Sequence, residues 1–126
     1  MIGYITLGTN DVLNGGIFYD QLFAILGAKR VYDQANCIAW AKDDASVIFT
    51  LLNPENGQQA TAGNGTMIAF QAASQAQVES LYYKALEIGA SDEGAPGIRS
   101  GGFYCAYIRD LDGNKLNFHF NPNGTE

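Results

Sequence analysis

The chain contains one histidine, His119, within the stretch Lys115-Leu116-Asn117-Phe118-His119-Phe120. Polar and apolar residues alternate in this stretch, which predicts a β-strand with Asn117 and His119 on one face and an apolar opposite face that packs on a helix. An imidazole can act as a general acid or base near neutral pH, and an amide can hydrogen bond to a ligand. We therefore predict His119 as a catalytic residue and Asn117 as a ligand-binding residue. The structural alternative for both side chains is hydrogen bonding within the sheet.

Three further residues are candidate ligand contacts. Arg99 lies in the glycine-rich stretch 94–102, which could close over a pocket and use the guanidinium to bind a carboxylate or phosphate. The alternative for Arg99 is a solvated loop arginine. Tyr4 either turns its hydroxyl towards a ligand or packs in the core, and Met67 is expected to line a pocket as an apolar residue.

Composition and charge restrict the classes of partner and compartment. The net charge is −6, and a protein that binds nucleic acid or anionic membranes needs a basic surface, so we predict neither partner. No apolar run approaches the roughly 18 residues of a membrane span, and the first residues do not resemble an export signal. Two cysteines, Cys37 and Cys105, form no disulfide framework, so we expect reduced thiols and a cytoplasmic protein.

The elements that must position these residues occur in a repeated order. A strand over 2–9 is followed by a helix that Asn10-Asp11 caps and Gly27 ends, and Gly15-Gly16 predicts that this helix begins late. Three strands follow, at 28–33, 37–42 and 46–52. The second set comprises a strand over 66–73, a helix with a Ser74–Gln77 capping box that ends at Gly89, a loop-rich segment with room for one short strand over 90–102, and strands over 103–109 and 115–120.

The two sets match as an internal repeat. The hairpin of Asp44-Ala45-Ser46 matches that of Asp112-Gly113-Asn114 at an offset of 68, which also places Cys37 on Cys105; the helix ends match at 62 and the first strands at 63. Such self-similarity predicts two copies of one βαβββ unit. We therefore expect an α+β fold with a first module over 1–54, a linker over 55–65 and a second module over 66–122.

In this order the segments resemble the vicinal oxygen chelate superfamily, which includes glyoxalase I, bleomycin-resistance proteins and extradiol dioxygenases. The resemblance covers nearly the full length and implies two modules whose strands form an open, curled, mixed β-sheet barrel around a cavity, and a homodimer. Its carriers are Ile2-Gly3-Tyr4-Ile5-Thr6-Leu7 followed by Asn10-Asp11, the Phe18-Tyr19 pair, Gly65-Thr66-Met67-Ile68-Ala69-Phe70, and Arg109-Asp110-Leu111-Asp112-Gly113-Asn114-Lys115-Leu116.

The residues at the family's metal-ligand positions are unusual. Members that use a metal place ligands on the first and last strands of each module, and the resemblance puts those positions at Tyr4, Phe49, Met67 and Asn117. Divalent cations prefer imidazole or carboxylate ligands, which none of these four supplies. A shift of two residues would place His119 at the last position, but one histidine does not make a multi-histidine site. We predict a member that lacks the usual ligands, with no metal and no cofactor.

Three functions are compatible with the sequence. The first is binding of a small organic molecule in the cavity without a metal, as in the bleomycin-resistance branch. The second is a metal-dependent lyase or isomerase of the glyoxalase type. The third is a metal-free enzyme that uses His119 with Tyr4 or Asn117. One fold hosts many chemistries, so the sequence leaves open whether the protein is an enzyme.

Overall fold

A computed structural model describes residues 1–43 and 47–123. The chain divides into two compact units, Met1–Ala62 and Gly63–Glu126, and each contains one helix and one four-stranded mixed sheet in the order βαβββ. The predicted α+β class and the repeated module are therefore confirmed. Among the described residues, no helix is long and apolar enough to cross a membrane.

The first module contains β1 (Tyr4–Gly8), α1 (Val12–Leu26), β2 (Lys29–Gln34), β3 (Cys37–Ala41) and β4 (Ile48–Leu52). Its sheet has the order β1-β4-β3-β2, with β1 parallel to β4 and the other pairs antiparallel. The helix contacts β2, β3 and β4. Its core includes a cluster of aromatic rings from the helix and the sheet, formed by Tyr19, Phe23, Trp40 and Phe49.

The second module contains β5 (Met67–Gln71), α2 (Gln75–Glu87), β6 (Ser91–Ile98), β7 (Tyr104–Arg109) and β8 (Lys115–Phe120), with a short 3-10 turn at Ser100–Gly102. Its sheet has the equivalent order β5-β8-β7-β6. The helix α2 contacts β6, β7 and β8. Leu116 and Phe118 are fully buried, which confirms that the apolar face of the last strand packs in the core. The capping box is also confirmed, because Ser74 Oγ accepts from Gln77 N at 3.0 Å.

The predicted late start of the first helix is wrong. The helix begins at Val12, and Asp11 caps it by accepting from Asn14 N at 3.0 Å. Gly15 and Gly16 lie inside it because the sheet approaches closely at this point. A Cβ atom on Gly15 would lie 2.7 Å from Leu51 Cδ2, and one on Gly16 would lie 2.7 Å from Ile38 Cδ1. Close packing against the sheet therefore compensates for the poor helix propensity of glycine.

The segment before the last hairpin is more regular than its composition predicts. Instead of one short strand in a loop, β6 spans eight residues, Ser91–Ile98. It pairs only with β7, and its register shifts near Gly94 and Gly97. An edge strand tolerates Pro96, which has no N–H group to donate, and the irregular register accommodates the extra residues.

Candidate functional site

The second module presents one sheet face that its helix does not cover, and we call it the helix-free face. Residues that pair across neighbouring strands share a face, so the register defines its members. They are Met67, Ala69 and Gln71 on β5, Lys115, Asn117 and His119 on β8, Cys105, Tyr107 and Arg109 on β7, and Gly94 and Gly97 on β6.

The turn between β7 and β8 fixes the start of the last strand. The buried carboxylate of Asp110 accepts from the backbone N–H groups of Asp112 and Asn114, both at 2.9 Å, and from Asn114 Nδ2 at 3.0 Å. Of the turn residues only Gly113 has a positive φ, 89°. The turn holds β8 in register, so that Asn117 and His119 both lie on the helix-free face.

His119 and Asn117 contact each other. His119 Nδ1 lies 3.1 Å from Asn117 Oδ1. An amide oxygen only accepts hydrogen bonds, so Nδ1 is the donor in this contact. The ring of Phe103 lies edge-on to the imidazole, with centroids 5.7 Å apart. Asn117 is only 4% exposed whereas His119 is half-buried, so the amide orients an imidazole that solvent reaches.

A second group lies on the neighbouring strand, around Tyr107, which pairs directly with Asn117. Arg99 Cζ is 5.6 Å and Lys115 Nζ is 5.4 Å from the centre of the Tyr107 ring. These distances are within the range of cation–π contacts. We call Arg99, Tyr107 and Lys115 the Tyr107 cluster. It places two positive charges beside the His119–Asn117 pair.

Two glycines on β6 provide the space that the arginine occupies. A Cβ atom on Gly94 would lie 3.2 Å from Arg99 Nη2, and one on Gly97 would lie 2.9 Å from Arg99 Nη1. Arg99 Nη2 also donates to the carbonyl oxygen of Ala95 at 2.7 Å. The guanidinium therefore folds back over β6 towards Tyr107, so Arg99 is not simply a solvated loop side chain.

The remaining cation of this face is already paired. Arg109 forms an ion pair with Glu93 and donates to the carbonyl oxygen of Gly113 at 3.0 Å. Within residues 1–43 and 47–123, by contrast, neither Arg99 nor Lys115 has a carboxylate within 4.0 Å. The positive charge of the Tyr107 cluster is therefore not neutralised by a side chain of the described segments.

The structure places four of the five predicted site residues in the second module. Asn117 and His119 are in contact, Arg99 is in the adjacent cluster, and Met67 pairs with Lys115 at the start of β5 and is 41% exposed. Tyr4 belongs to the first module and is 68% exposed. Sequence reasoning missed two residues of the cluster, Tyr107 and Lys115. The alternation of Cys105, Tyr107 and Arg109 opposite the polar residues of β8 was the signal that could have found them.

The expected ligand position on β4 is wrong by one residue. Phe49 lies in the first module's core, where its ring centroid is 4.8 Å from that of Tyr19. Cys37 pairs with Leu52 as Cys105 pairs with His119, so β3 matches β7 at an offset of 68 but β4 matches β8 at 67. The first hairpin connection has one more residue, and a slip of one residue moves a side chain to the opposite face. The true equivalent of Asn117 is Thr50. The matched motif Asp44-Ala45-Ser46 lies outside the described residues.

These residues do not fit a divalent metal ion. The described segments contain no group of three or more histidine, cysteine, aspartate or glutamate side chains placed to hold one. The helix-free face offers one imidazole, one thiol and two amides, from His119, Cys105, Gln71 and Asn117. It also carries Arg99, Arg109 and Lys115, whose charges repel a cation.

The fold and sequence are similar to those of known structures. A glyoxalase/bleomycin resistance protein from Albidiferax ferrireducens T118 is 32% identical, with a TM-score of 0.89 over 97% of this chain and 99% of that chain. A glyoxalase-related enzyme from Fulvimarina pelagi shares 20% identity at a TM-score of 0.80, covering 97% of this chain and 88% of that one. Lactoylglutathione lyase from Agrobacterium tumefaciens shares 18% sequence identity at a TM-score of 0.72, and the match covers 100% of this chain and 97% of that one.

The second and third structures are similar in fold alone. No protein-family profile matches the chain, and a search of curated proteins finds no match. The first similarity, however, combines 32% identity with almost complete coverage of both chains. The chain therefore belongs to the glyoxalase/bleomycin resistance protein family, within the vicinal oxygen chelate superfamily.

Proposed function

We propose that this protein binds a small organic molecule on the helix-free face of its second module and does so without a metal ion. The observation that carries the proposal is the pair of His119 and Asn117 next to the Tyr107 cluster. Small-molecule sites combine apolar lining with a few polar groups that fix orientation. Here Phe103 and Met67 supply apolar surface, and the imidazole and amide supply directional hydrogen bonds.

The absence of a metal is part of the proposal and is tested separately. Its support is the donor chemistry of the face, which carries one imidazole among three cations. Elemental analysis of protein purified without chelators should find no stoichiometric nickel, zinc, manganese or iron. One equivalent of any of these metals, lost together with ligand binding on dialysis against a chelator, would overturn this part of the proposal.

Because His119 is the chain's only histidine, its imidazole NMR signal gives a direct test of binding. A fragment library, and any molecule that native mass spectrometry finds bound after purification, should include compounds that shift this signal without added metal. His119→Ala should weaken their binding by calorimetry. Lys84→Met, on α2 at the opposite side of the sheet, is the matched control and should leave affinity unchanged. If no compound moves the His119 signal, the proposal fails.

A metal-free reaction at the same site is the second candidate function. The contact between Asn117 Oδ1 and His119 Nδ1 favours it, because that contact orients the imidazole, a group suited to acid–base catalysis. One structural neighbour is called a lactoylglutathione lyase, so that activity is the first to assay. Turnover that persists in metal-free protein and disappears in His119→Ala would support an acid–base role. Turnover that depends on an added metal would contradict it.

We also propose a homodimer and a cytoplasmic protein. The support for the dimer is the family resemblance and the four edge strands β1, β2, β5 and β6, whose unpaired backbone groups favour pairing or covering. Light scattering should give twice the monomer mass of 13.6 kDa at micromolar concentration. A monomer mass under those conditions would contradict the dimer.

A further inference from the structure

We propose that the molecule bound on the helix-free face is an organic carboxylate, and that the Tyr107 cluster is the site of its negative charge. This inference rests on the proposed function and adds the chemical class of the ligand. Arg99 supplies the planar N–H donors that match a carboxylate, and Lys115 adds a second positive charge near the same ring.

The distribution of charge is the first reason. The chain carries a net charge of −6 and only seven lysines and arginines, yet three of the seven, Arg99, Arg109 and Lys115, lie on one face of one four-stranded sheet. Arg109 is neutralised by Glu93. The other two have no carboxylate partner within 4.0 Å in the described ranges. In a chain with an excess of acidic residues, a pair of cations without a partner carboxylate favours an external anion.

The fixed position of Arg99 is the second reason. An arginine that only improves solubility needs no defined place, but this one contacts Tyr107, donates to Ala95 O at 2.7 Å and occupies space that Gly94 and Gly97 leave open. A guanidinium has five N–H donors, and the bond to Ala95 uses one of them. Holding the remaining donors in place before the ligand arrives lowers the entropic cost of binding.

The neighbouring pair completes the site. Tyr107 on β7 pairs with Asn117 on β8, and two residues further along β8 His119 pairs with Cys105. A carboxylate at the Tyr107 cluster would therefore direct the rest of the molecule along the face towards His119 and Phe103, whose rings are 5.7 Å apart. The ligand class that fits is a small carboxylate with an apolar body.

A comparison of benzoate with benzamide tests the charge directly, because the two probes have nearly the same size and shape. Titrations are followed by the His119 imidazole signal at low and high salt, and phenyl phosphate distinguishes a phosphate from a carboxylate preference. We expect benzoate to bind about tenfold more tightly than benzamide, as one or two charge-assisted hydrogen bonds allow. The preference should shrink as salt screens the charges.

Three variants separate charge from position. Arg99→Gln and Lys115→Met each remove one charge and should reduce the preference for benzoate several-fold. Gly97→Ala keeps both charges but adds a methyl group that would lie 2.9 Å from Arg99 Nη1, which is too close. The flexible arginine can move away at little cost in stability, but its guanidinium is then displaced from its position beside Tyr107. This variant should also reduce the preference. Lys84→Met removes a charge from α2 and serves as the control that should change nothing.

The outcomes for the two proposals differ. Equal affinity for benzoate and benzamide, or a benzoate preference that Arg99→Gln and Lys115→Met leave intact, overturns the carboxylate assignment while binding on this face stands. A stronger response to phenyl phosphate than to benzoate also overturns it, in favour of a phosphate ligand. If neutral and charged probes alike, and all copurified molecules, leave the His119 signal unmoved, the proposed function fails together with the inference.

Discussion

In both modules a polar contact joins the helix to an edge strand of the sheet, but the residue types that form it differ. In the first, Asp20 on α1 accepts two hydrogen bonds of 2.8 Å from Arg30 on β2. In the second, Tyr82 on α2 donates to Asp92 on β6 at 2.8 Å. Both pairs are related by the offset of 62 that aligns the helix ends. The polar link between helix and edge strand is thus kept in place, while an ion pair in one copy is replaced by a neutral donor and a carboxylate in the other.

The helix-free faces of the modules differ more than their cores. Where the second module has a cation, an amide, an imidazole and a phenol, the first has mainly apolar or small groups. The equivalent pairs, taken from the strand registers, are Ile48 and Lys115, Thr50 and Asn117, Leu52 and His119, and Ala39 and Tyr107. The repeated backbone therefore does not imply two sites, because the groups capable of chemistry are concentrated in the second copy.

The largest expected effect tests the register that defines these pairs. Phe49→Ala should lower the free energy of unfolding by about 3–5 kcal/mol, since Phe49 is 5% exposed among the rings of Tyr19, Phe23 and Trp40. The measurement is denaturant unfolding followed by the fluorescence of Trp40, the only tryptophan. Thr50→Val, at the true equivalent of Asn117, is the control and should cost about 1 kcal/mol or less. A small loss for Phe49→Ala would indicate that Phe49 lies on the opposite face of the sheet. The register that pairs Thr50 with Asn117 would then be wrong.

The sequence alone predicts the features that have local or repeated signals, but not those that depend on contacts between residues distant in the chain. Alternation in β8 and the cap at Asp11 are local signals, and the structure confirms both. The start of α1 depends on how closely Leu51 approaches Gly15, which no local preference encodes. The faces of β4 depend on a single extra residue in a connection. The Tyr107 cluster joins residues from three segments, so only the register brings Arg99, Tyr107 and Lys115 together.

The next effect concerns a feature that only the first module has. Gly15 and Gly16 correspond to Gln77 and Val78 in α2, so the paired glycines at the helix–sheet contact are specific to α1. Gly15→Ala should gain about 1 kcal/mol in helix propensity but lose more through overpacking, because the new methyl group would meet the fully buried Leu51. We expect a net loss of about 1–2 kcal/mol by Trp40 fluorescence. Increased stability would mean that the helix and sheet can separate freely.

The polar links should respond differently to pH. Burial alone would raise the pKa of Asp20, but the hydrogen bonds from Arg30 and Trp40 and the charge of Arg30 outweigh it and hold the pKa below its ordinary value of 3.8. A carboxylate whose pKa is lowered in the folded state contributes stability at pH values above its unfolded-state pKa. That contribution is lost as the pH falls through the folded-state pKa. Asp20→Asn should therefore cost about 1–2 kcal/mol at pH 7, after allowance for partial exposure, and less below pH ~4.

Tyr82→Phe is the matched variant of the second link. It removes one hydrogen bond and should cost about 1 kcal/mol. The bond requires the protonated phenol, so this cost should stay nearly constant from pH 5 to pH 8, roughly two units below the usual pKa of tyrosine. Far-UV circular dichroism follows both modules and suits this comparison. A cost for Asp20→Asn that does not decline in acid would show that its charge contributes nothing to the first module.

The effect expected at His119, whose equivalent in the first module is Leu52, falls on ligand binding more than on stability. His119→Ala removes a half-buried ring that touches Phe103 and contacts Asn117 at 3.1 Å. One hydrogen bond and one aromatic contact are lost, but little core volume is, so the free energy of unfolding should fall by no more than about 1–2 kcal/mol. His119→Gln retains an amide donor that can reach Asn117 and should recover part of that loss. Binding of any ligand on the helix-free face should weaken in both variants, because neither has an imidazole. A large loss of stability with unchanged binding would make His119 a structural residue, and the two faces would then differ in composition without differing in function.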